Sequence, residues 1–288
     1  MSNANIQIAI SDLHTGCQMG LCHPDGARLD EGGTYAPSEL QVKIYQIWEH
    51  VWHHWLREIV GKQKFDLINN GDSIDGVHHN SVTQWSHNLK DQKEHAALLL
   101  SVPVGLCRKS GGDYYHIRGT EAHGGQSGQY EEELAKTLGA VPNPAGQYAR
   151  YFLRKWLGNP NRRFLVHYSH HIAGTSSASY ESTAVYKELV AAWTDAARWG
   201  RQAPDVVVFG HRHRHFDIPV PIMFEGKRRR ARAIVLPGWQ GPTPLVYRLA
   251  GSSKITSQFG AVALLLTPEG EVYTREYVYT PEQEPPDE

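Results

Sequence analysis

Short, mostly apolar runs recur along the chain, and each is closed by polar, chemically capable side chains. Ile6–Ile10 leads to Asp12-Leu13-His14, and Phe65–Ile68 leads through Asn69-Asn70-Gly71 to Asp72. Tyr114–Ile117 delivers Arg118-Gly119-Thr120-Glu121-Ala122-His123, Phe164–Tyr168 delivers His170-His171, and Val206–Phe209 delivers Gly210-His211-Arg212-His213. Mostly apolar runs of this length, broken only by Gln7, Asp66, His116 and His167, suit strands buried on both faces of a sheet. Apolar positions at helical spacing fall between the runs. Ser38-Glu39-Leu40-Gln41 makes a capping box, and Ile44, Trp48, Trp52, Trp55 and Ile59 follow on one helical face. Further helices are expected over 83–100, with a kink at Pro103, and over 129–138 and 182–199. Gln147–Trp156 and Arg163–Tyr168 read as a hairpin across Gly158–Asn161. Beyond residue 213 the pattern turns to β segments over Phe216–Phe224, Arg230–Leu236, Gly260–Leu266 and Glu271–Tyr279. Strands alternating with helices predict an α/β fold, whose ligands gather at the carboxyl ends of strands.

Five strand ends carrying carboxylates and imidazoles describe one site, expected to hold two metal ions. Asp12 and His14 are separated by one residue, so in an extended backbone both point the same way. Gly71 lets the chain turn tightly before Asp72. Asp75, His78 and His79 lie just beyond that strand end, facing either substrate or solvent.

Composition narrows the chemistry. The 288 residues carry a formal net charge of −1, so no global field draws the chain to nucleic acid or an anionic membrane. Seventeen histidines supply the raw material of a metal centre. Three cysteines, with no CxxC pair, argue against a disulfide framework or zinc knuckle and fit a reducing compartment. Carboxylate and imidazole donors without thiolates suit Mn, Fe or Zn. The first strand begins within a few residues, leaving no room for a signal peptide, and the most apolar window is too short to span a bilayer. The expectation is a cytoplasmic protein with a single domain over 1–280 and a disordered acidic, proline-rich tail over 281–288.

Asp-x-His, Gly-Asp-x-x-Asp and Gly-His-x-His, in this order and each after an apolar run, resemble the calcineurin-like metallophosphoesterase superfamily. The resemblance runs from Asp12 to His213, and the later β segments fit the family's second sheet. It implies two stacked mixed β-sheets flanked by helices, a four-layer α-β-β-α sandwich with a dinuclear centre. Carried onto this chain, Asp12, His14, Asp72 and His213 would hold the first ion. Asp72 would bridge to a second ion held by His211 and by His170, with His167 and His171 as alternatives. The family's Gly-Asn-His-Glu/Asp is replaced here by Gly119-Thr120-Glu121-Ala122-His123, a variant similar to that of phage-type and environmental members. The resemblance then gives Glu121 the metal-binding role and His123 that of acid to the leaving group.

The implied activity is hydrolysis of phosphomono- or phosphodiesters by attack of a metal-bound hydroxide. Asp72 and His123 would be the catalytic pair, and His78, Arg118, His171 and Trp239 would contact a small or nucleotide-like phosphate ester. Two other readings stand beside it. A nuclease is permitted by the basic turn Lys227–Arg230 and by Trp85 and Trp239, but is disfavoured by the charge balance. A non-catalytic metal-binding scaffold is permitted by the altered 119–123 segment.

Overall fold

The computed structural model describes residues 4–78, 81–124, 128–172, 178–224, 226–250, 256–267 and 271–281. Nearly all of the expected tail, 282–288, lies outside them, as does His79. In chain order, β1 (Ile6–Ile10) leads through the short pair β2 (Ala27–Arg28) and β3 (Thr34–Tyr35) to α1 (Glu39–His50). A π-helical turn over Val51–Trp55 joins α1 to α2 (Leu56–Val60) and β4 (Asp66–Asn69). There follow α3 (Leu89–Lys109), β5 (Tyr114–Ile117), the single turn α4 (Glu121–Gly124), α5 (Gln129–Thr137) and β6 (Ala149–Arg150). The hairpin β7 (Phe152–Asn159) and β8 (Arg162–Ser169) precedes α6 (Glu181–Arg198) and β9 (Val206–Phe209). The remainder is β10 (Phe216–Phe224), β11 (Lys227–Val235), α7 (Pro244–Ala250), β12 (Phe259–Leu266) and β13 (Val272–Tyr279).

Two mixed sheets result, one ordered β13-β12-β1-β4-β5-β6 and the other β10-β11-β9-β8-β7. In the first, β1, β4, β5 and β6 run parallel while β12 and β13 close one side antiparallel. In the second, β8, β9 and β11 are parallel and β7 and β10 are antiparallel edges. Strand side chains alternate between faces, and the apolar runs therefore feed separate cores. Ile8, Ile10 and Leu67 pack under α1 and α3 with Trp48 and Trp52. Ala9 and Ile68 face Val166, Tyr168, Val206 and Val208 across the gap between the sheets. Val207 and Phe209 turn outward to Val185 and Leu189 of α6. Three cores separate four layers, helices–sheet–sheet–helix, as expected.

The capping box forms as read: the Ser38 side chain accepts from Gln41 N–H, and the Gln41 side chain accepts from Ser38 N–H. Two expectations shift. The helix expected from residue 83 begins at Leu89, because Asn88 caps it by accepting from Lys90 N–H, and Pro103 sits inside the helix without ending it. The strand expected over 147–156 is two strands in different sheets, joined by the single residue Tyr151. Among the described residues no helix is long and apolar enough to cross a membrane.

Candidate metal centre

The parallel strands of each sheet end at the same edge, and their following loops are laced together. Asp12 N–H donates to Gly71 O (2.9 Å), His14 N–H to Asp72 O (3.0 Å), and Thr15 N–H to Ser73 O (3.1 Å). These bonds carry the β1–β4 pairing past the ends of both strands. Gly210 N–H donates to His170 O (3.0 Å), which ties the ends of β8 and β9 in the same way.

The backbone at these ends is unusual. Among the described residues, the non-glycine positions with positive φ are Asp12 (60°), His14 (45°), Asp72 (51°), His211 (73°) and His213 (52°). Left-handed backbone costs a residue with a Cβ about 1 kcal/mol or more, and such positions gather at functional sites. Every one of the five is a ligand candidate from the sequence. Asp12 and His14 thus converge by left-handed turns rather than by the extended alternation expected from their spacing.

Among the described residues the side chains meet in four overlapping groups: Asp12–His14–His213, Asp72–His170–His211, His14–Asp72–His123 and Asp75–His78–His123; the first two adjoin. In the first, His213 Nε2 lies 3.2 Å from Asp12 Oδ1 and 3.1 Å from His14 Nε2. In the second, His170 Nε2 lies 2.9 Å from Asp72 Oδ2. The groups touch: His170 Nε2 is 3.9 Å from Asp12 Oδ1, and His14 Nε2 is 3.9 Å from Asp72 Oδ2. Donors bound at about 2.1 Å to one cation sit roughly 3.0–3.4 Å apart, so several of these spacings match the edges of a coordination shell. Asp72 faces both groups, as a bridging carboxylate must.

Hydrogen bonds fix which nitrogen each ring presents. His170 Nδ1 donates to Asn70 O (2.7 Å), leaving Nε2 buried and without a hydrogen-bond partner beside two carboxylates. A buried lone pair in that setting fits a cation. His14 Nδ1 donates to Asp75 Oδ1 (3.2 Å), which turns its Nε2 toward His213. Asp75 is itself held by Gln84 Nε2 (2.6 Å) and Gln240 Nε2 (3.1 Å). This carboxylate–imidazole arrangement is the usual support behind a metal ligand.

Electrostatics agree with the geometry. Burial opposes charge on His14, but the carboxylates of Asp12, Asp75 and Asp72 outweigh it and raise its pKa to about 10. Burial likewise opposes charge on His170, yet Asp72 and Asp12 lift it to about 9. Asp12 and Asp72 stay well below the carboxylate range despite burial, because His213, His170 and His123 surround them. His211, by contrast, is pushed down to about 4 by burial and by His170, so it is neutral and ready to donate a lone pair. Cations must therefore displace protons from His14 and His170. The sign follows: affinity for Mn²⁺ should rise with pH by up to about tenfold per unit per proton released, levelling only above the raised pKa values. Calorimetry at neutral pH in buffers of different ionisation heat should count about one to two protons expelled. A count of zero would mean that these imidazoles do not bind the ion.

Not every expected residue reaches the cluster. Glu121 is exposed at the start of α4 and belongs to none of the ligand groups. Thr120 stands there instead, its N–H 2.6 Å from Asp72 Oδ1 and its hydroxyl 3.2 Å from Oδ2 and 3.5 Å from His211 Nδ1. His123 does arrive, donating from Nδ1 to Asp75 O (2.5 Å) with Nε2 3.9 Å from Asp72 Oδ2. His78 lies beside it, 3.6 Å from Asp75 Oδ2. His171 is exposed on the rim, with its ring 4.8 Å from that of His211. Arg118 turns toward Ala149 O, Glu132 and the Tyr151 ring. Trp239 is fully buried against Trp48, and its backbone N–H joins the site, donating to Asp12 O (2.9 Å). Sequence reasoning assigned no role to Thr120, Gln84 or Gln240 and left Asp75 between substrate and solvent. The Gly-Asp-x-x-Asp spacing was the available signal for Asp75.

No family model matches the chain, and no curated protein matches it. Among solved structures, Vps29 of Chaetomium thermophilum is similar over 96% of this chain and 99% of its own, at 10% identity and a TM-score of 0.32. A hypothetical protein of Thermus thermophilus gives 12% identity and a TM-score of 0.37 over 96% and 99%. A protein of Thermotoga maritima, solved by NMR in solution, gives 14% and 0.30 over 96% and 99%. Likenesses this distant say nothing of activity, which must be read from the side chains.

Proposed function

We propose that the chain is a metal-dependent phosphoesterase of the calcineurin-like type, with two divalent cations held at the joined strand ends. The observation that carries this reading is the pair of adjoining ligand groups, Asp12–His14–His213 and Asp72–His170–His211, in which Asp72 Oδ2 also lies 3.9 Å from His14 Nε2 and every residue except His170 stands on left-handed backbone. Asp12, His14 and His213 would hold one ion and His170 and His211 the other, with Asp72 between them. Mn²⁺, Fe²⁺ or Zn²⁺ suits these donors. Bound there, the ions would lower the pKa of water and neutralise phosphoryl charge.

The chain's own groups do the positioning. Asp75 orients His14, and Asn70 O orients His170. Thr120 holds both carboxylate oxygens of Asp72, which fixes the orientation in which that carboxylate would meet the ions. His123, with Nδ1–H engaged by Asp75 O, presents Nε2 toward Asp72 as the nitrogen that exchanges a proton with a departing oxygen. The basic turn Lys227–Arg230, which permits the disfavoured nuclease reading, has the side chains of Lys227 and Arg228 outside the described residues. Arg229 pairs with Asp205 (3.6 Å) and covers the Phe164 ring, while the neighbouring Arg232 pairs with Asp217 (2.6 Å).

The test is hydrolysis of bis(p-nitrophenyl) phosphate by chelator-treated protein, with and without added Mn²⁺. The metal-free protein should be inactive and Mn²⁺ should restore turnover. Binding of two ions per chain with no turnover on mono- or diesters would favour the scaffold reading instead.

A further inference from the structure

Tyr151 is the single residue between β6 of the first sheet and β7 of the second, so the chain crosses from sheet to sheet at that point. The crossing lies at the metal edge. Arg150 is level with Ile117, the last residue of β5, and Phe152 is level with Ser169, the last residue of β8 before His170. Both aromatic side chains there point into solvent: Tyr151 is 64% exposed and Phe152 58%. Two adjacent, largely exposed rings beside a buried polar centre call for a ligand.

The surroundings say which kind. Arg118, one residue before Gly119-Thr120, lays its guanidinium 4.9 Å from the Tyr151 ring centre. Its NH1 is 3.4 Å from the Tyr151 hydroxyl, which fixes the ring's position. Phe152 rests near the His167 ring at 5.8 Å. On the other side, Ser169 O accepts from Asn70 Nδ2 (3.0 Å), and Asn70 is the residue that orients His170. The rings are therefore linked to His170 and Asp72 of the second ligand group, Phe152 through Ser169 and Tyr151 through Arg118, Gly119 and Thr120. Charge complements an anion: from Leu138 to Tyr180 the chain has five Lys or Arg and no Asp or Glu. Lys155 turns inward to Asp66, but Arg154 is exposed two residues from Phe152, and Arg162 and Arg163 are exposed at the far, turn end of the hairpin, level with Asn159 and Gly158, with Arg163 over Trp156 at 3.9 Å. Exposed rings interleaved with guanidinium groups stack nucleobases and hold phosphates.

We propose that Tyr151 and Phe152 form a stacking subsite for a nucleobase, and that the substrates are nucleoside phosphodiesters whose phosphoryl group reaches the metal centre. This rests on the phosphoesterase reading, so binding and turnover must be measured separately. Binding of thymidylate to the metal-free full-length chain, followed by fluorescence or calorimetry, needs no catalysis. Tyr151→Ala and Phe152→Ala should each weaken it by about 5- to 100-fold, the usual worth of one stacked base. Tyr151→Phe, which keeps the ring, should retain most of the affinity. For turnover, the p-nitrophenyl ester of thymidylate is compared with methyl p-nitrophenyl phosphate. In the alanine variants the ratio of their kcat/KM values should fall by a similar factor, mostly through KM. Thymidylate binding unaffected by both alanine variants would overturn the proposal, whether or not the protein proves to be a hydrolase. So would equal losses on the two esters. A second arm separates single nucleotides from strands: affinity for oligothymidylate that rises with length, and with a steeper salt dependence, would extend the subsite along Arg154 and Arg163. Length-independent affinity would confine it to one nucleotide.

Discussion

Asp72→Asn should abolish the proposed hydrolysis and strip both proposed ions. The carboxylate presents Oδ2 to His170 Nε2 at 2.9 Å and accepts Thr120 N–H on Oδ1 at 2.6 Å. An asparagine amide has one oxygen and one NH₂ group. If the oxygen keeps the Thr120 bond, the NH₂ faces the second ion and repels it. If the amide flips, two N–H groups oppose each other in a buried site, at the cost of a lost charged hydrogen bond. Either way a negative charge disappears from between two cations. The expected loss is about a thousandfold in kcat, roughly 4 kcal/mol in the barrier. Elemental analysis should show occupancy falling at both sites together. A purified variant that holds two ions and turns over at near the parent rate would remove Asp72 from the bridge.

Gly119→Ala should produce a smaller but still large loss without changing any ligand. A methyl group at this position would lie 1.9 Å from Asp72 Oδ1 and 2.3 Å from Asp72 N. The second of these atoms is backbone and cannot swing aside. It belongs to the peptide that starts the left-handed turn at Asp72, so relief of the clash moves the bridging carboxylate itself. Displacement by about 1 Å is enough to cost on the order of a hundredfold in rate, and overpacking of this kind costs about 1–3 kcal/mol of stability. Gly105, inside α3 with nothing within 4 Å of its added methyl, is the internal control. Gly105→Ala should raise stability by about 0.5–1 kcal/mol. Parent-like activity in Gly119→Ala would mean that the 119–120 segment moves independently of Asp72.

Much of this architecture is legible in the chain because buried strands and their ends leave strong local marks. Ile6–Ile10, Tyr114–Ile117 and Val206–Phe209 match the expected strands residue for residue, since short, mostly apolar runs bounded by polar residues have few other uses. What was not legible depended on backbone conformation or on distant partners. The spacing of Asp12 and His14 looks like strand alternation, and nothing in two residue types reveals a left-handed turn. Glu121 was chosen because a carboxylate is the better oxygen ligand. Position decides instead: Thr120 directly follows Gly119 and reaches Asp72, whereas Glu121 begins α4 and points away. Trp239 follows a strand end as a pocket wall would, but its ring is caught by Trp48, far away in sequence.

The place of β1 in the first sheet has a consequence for how the chain is made. Its neighbours are β4 on one side and β12 on the other, and β12 comprises residues 259–266. A nascent chain can pair β1, β4 and β5 early, yet the other edge of β1, Ile6 to Ala9, stays open until residues 259–266 have left the ribosome. An open apolar edge is a template for wrong partners. Truncation anywhere between His213 and Phe259 would therefore yield a chain that carries every proposed metal ligand and still aggregates through the strand that presents Asp12.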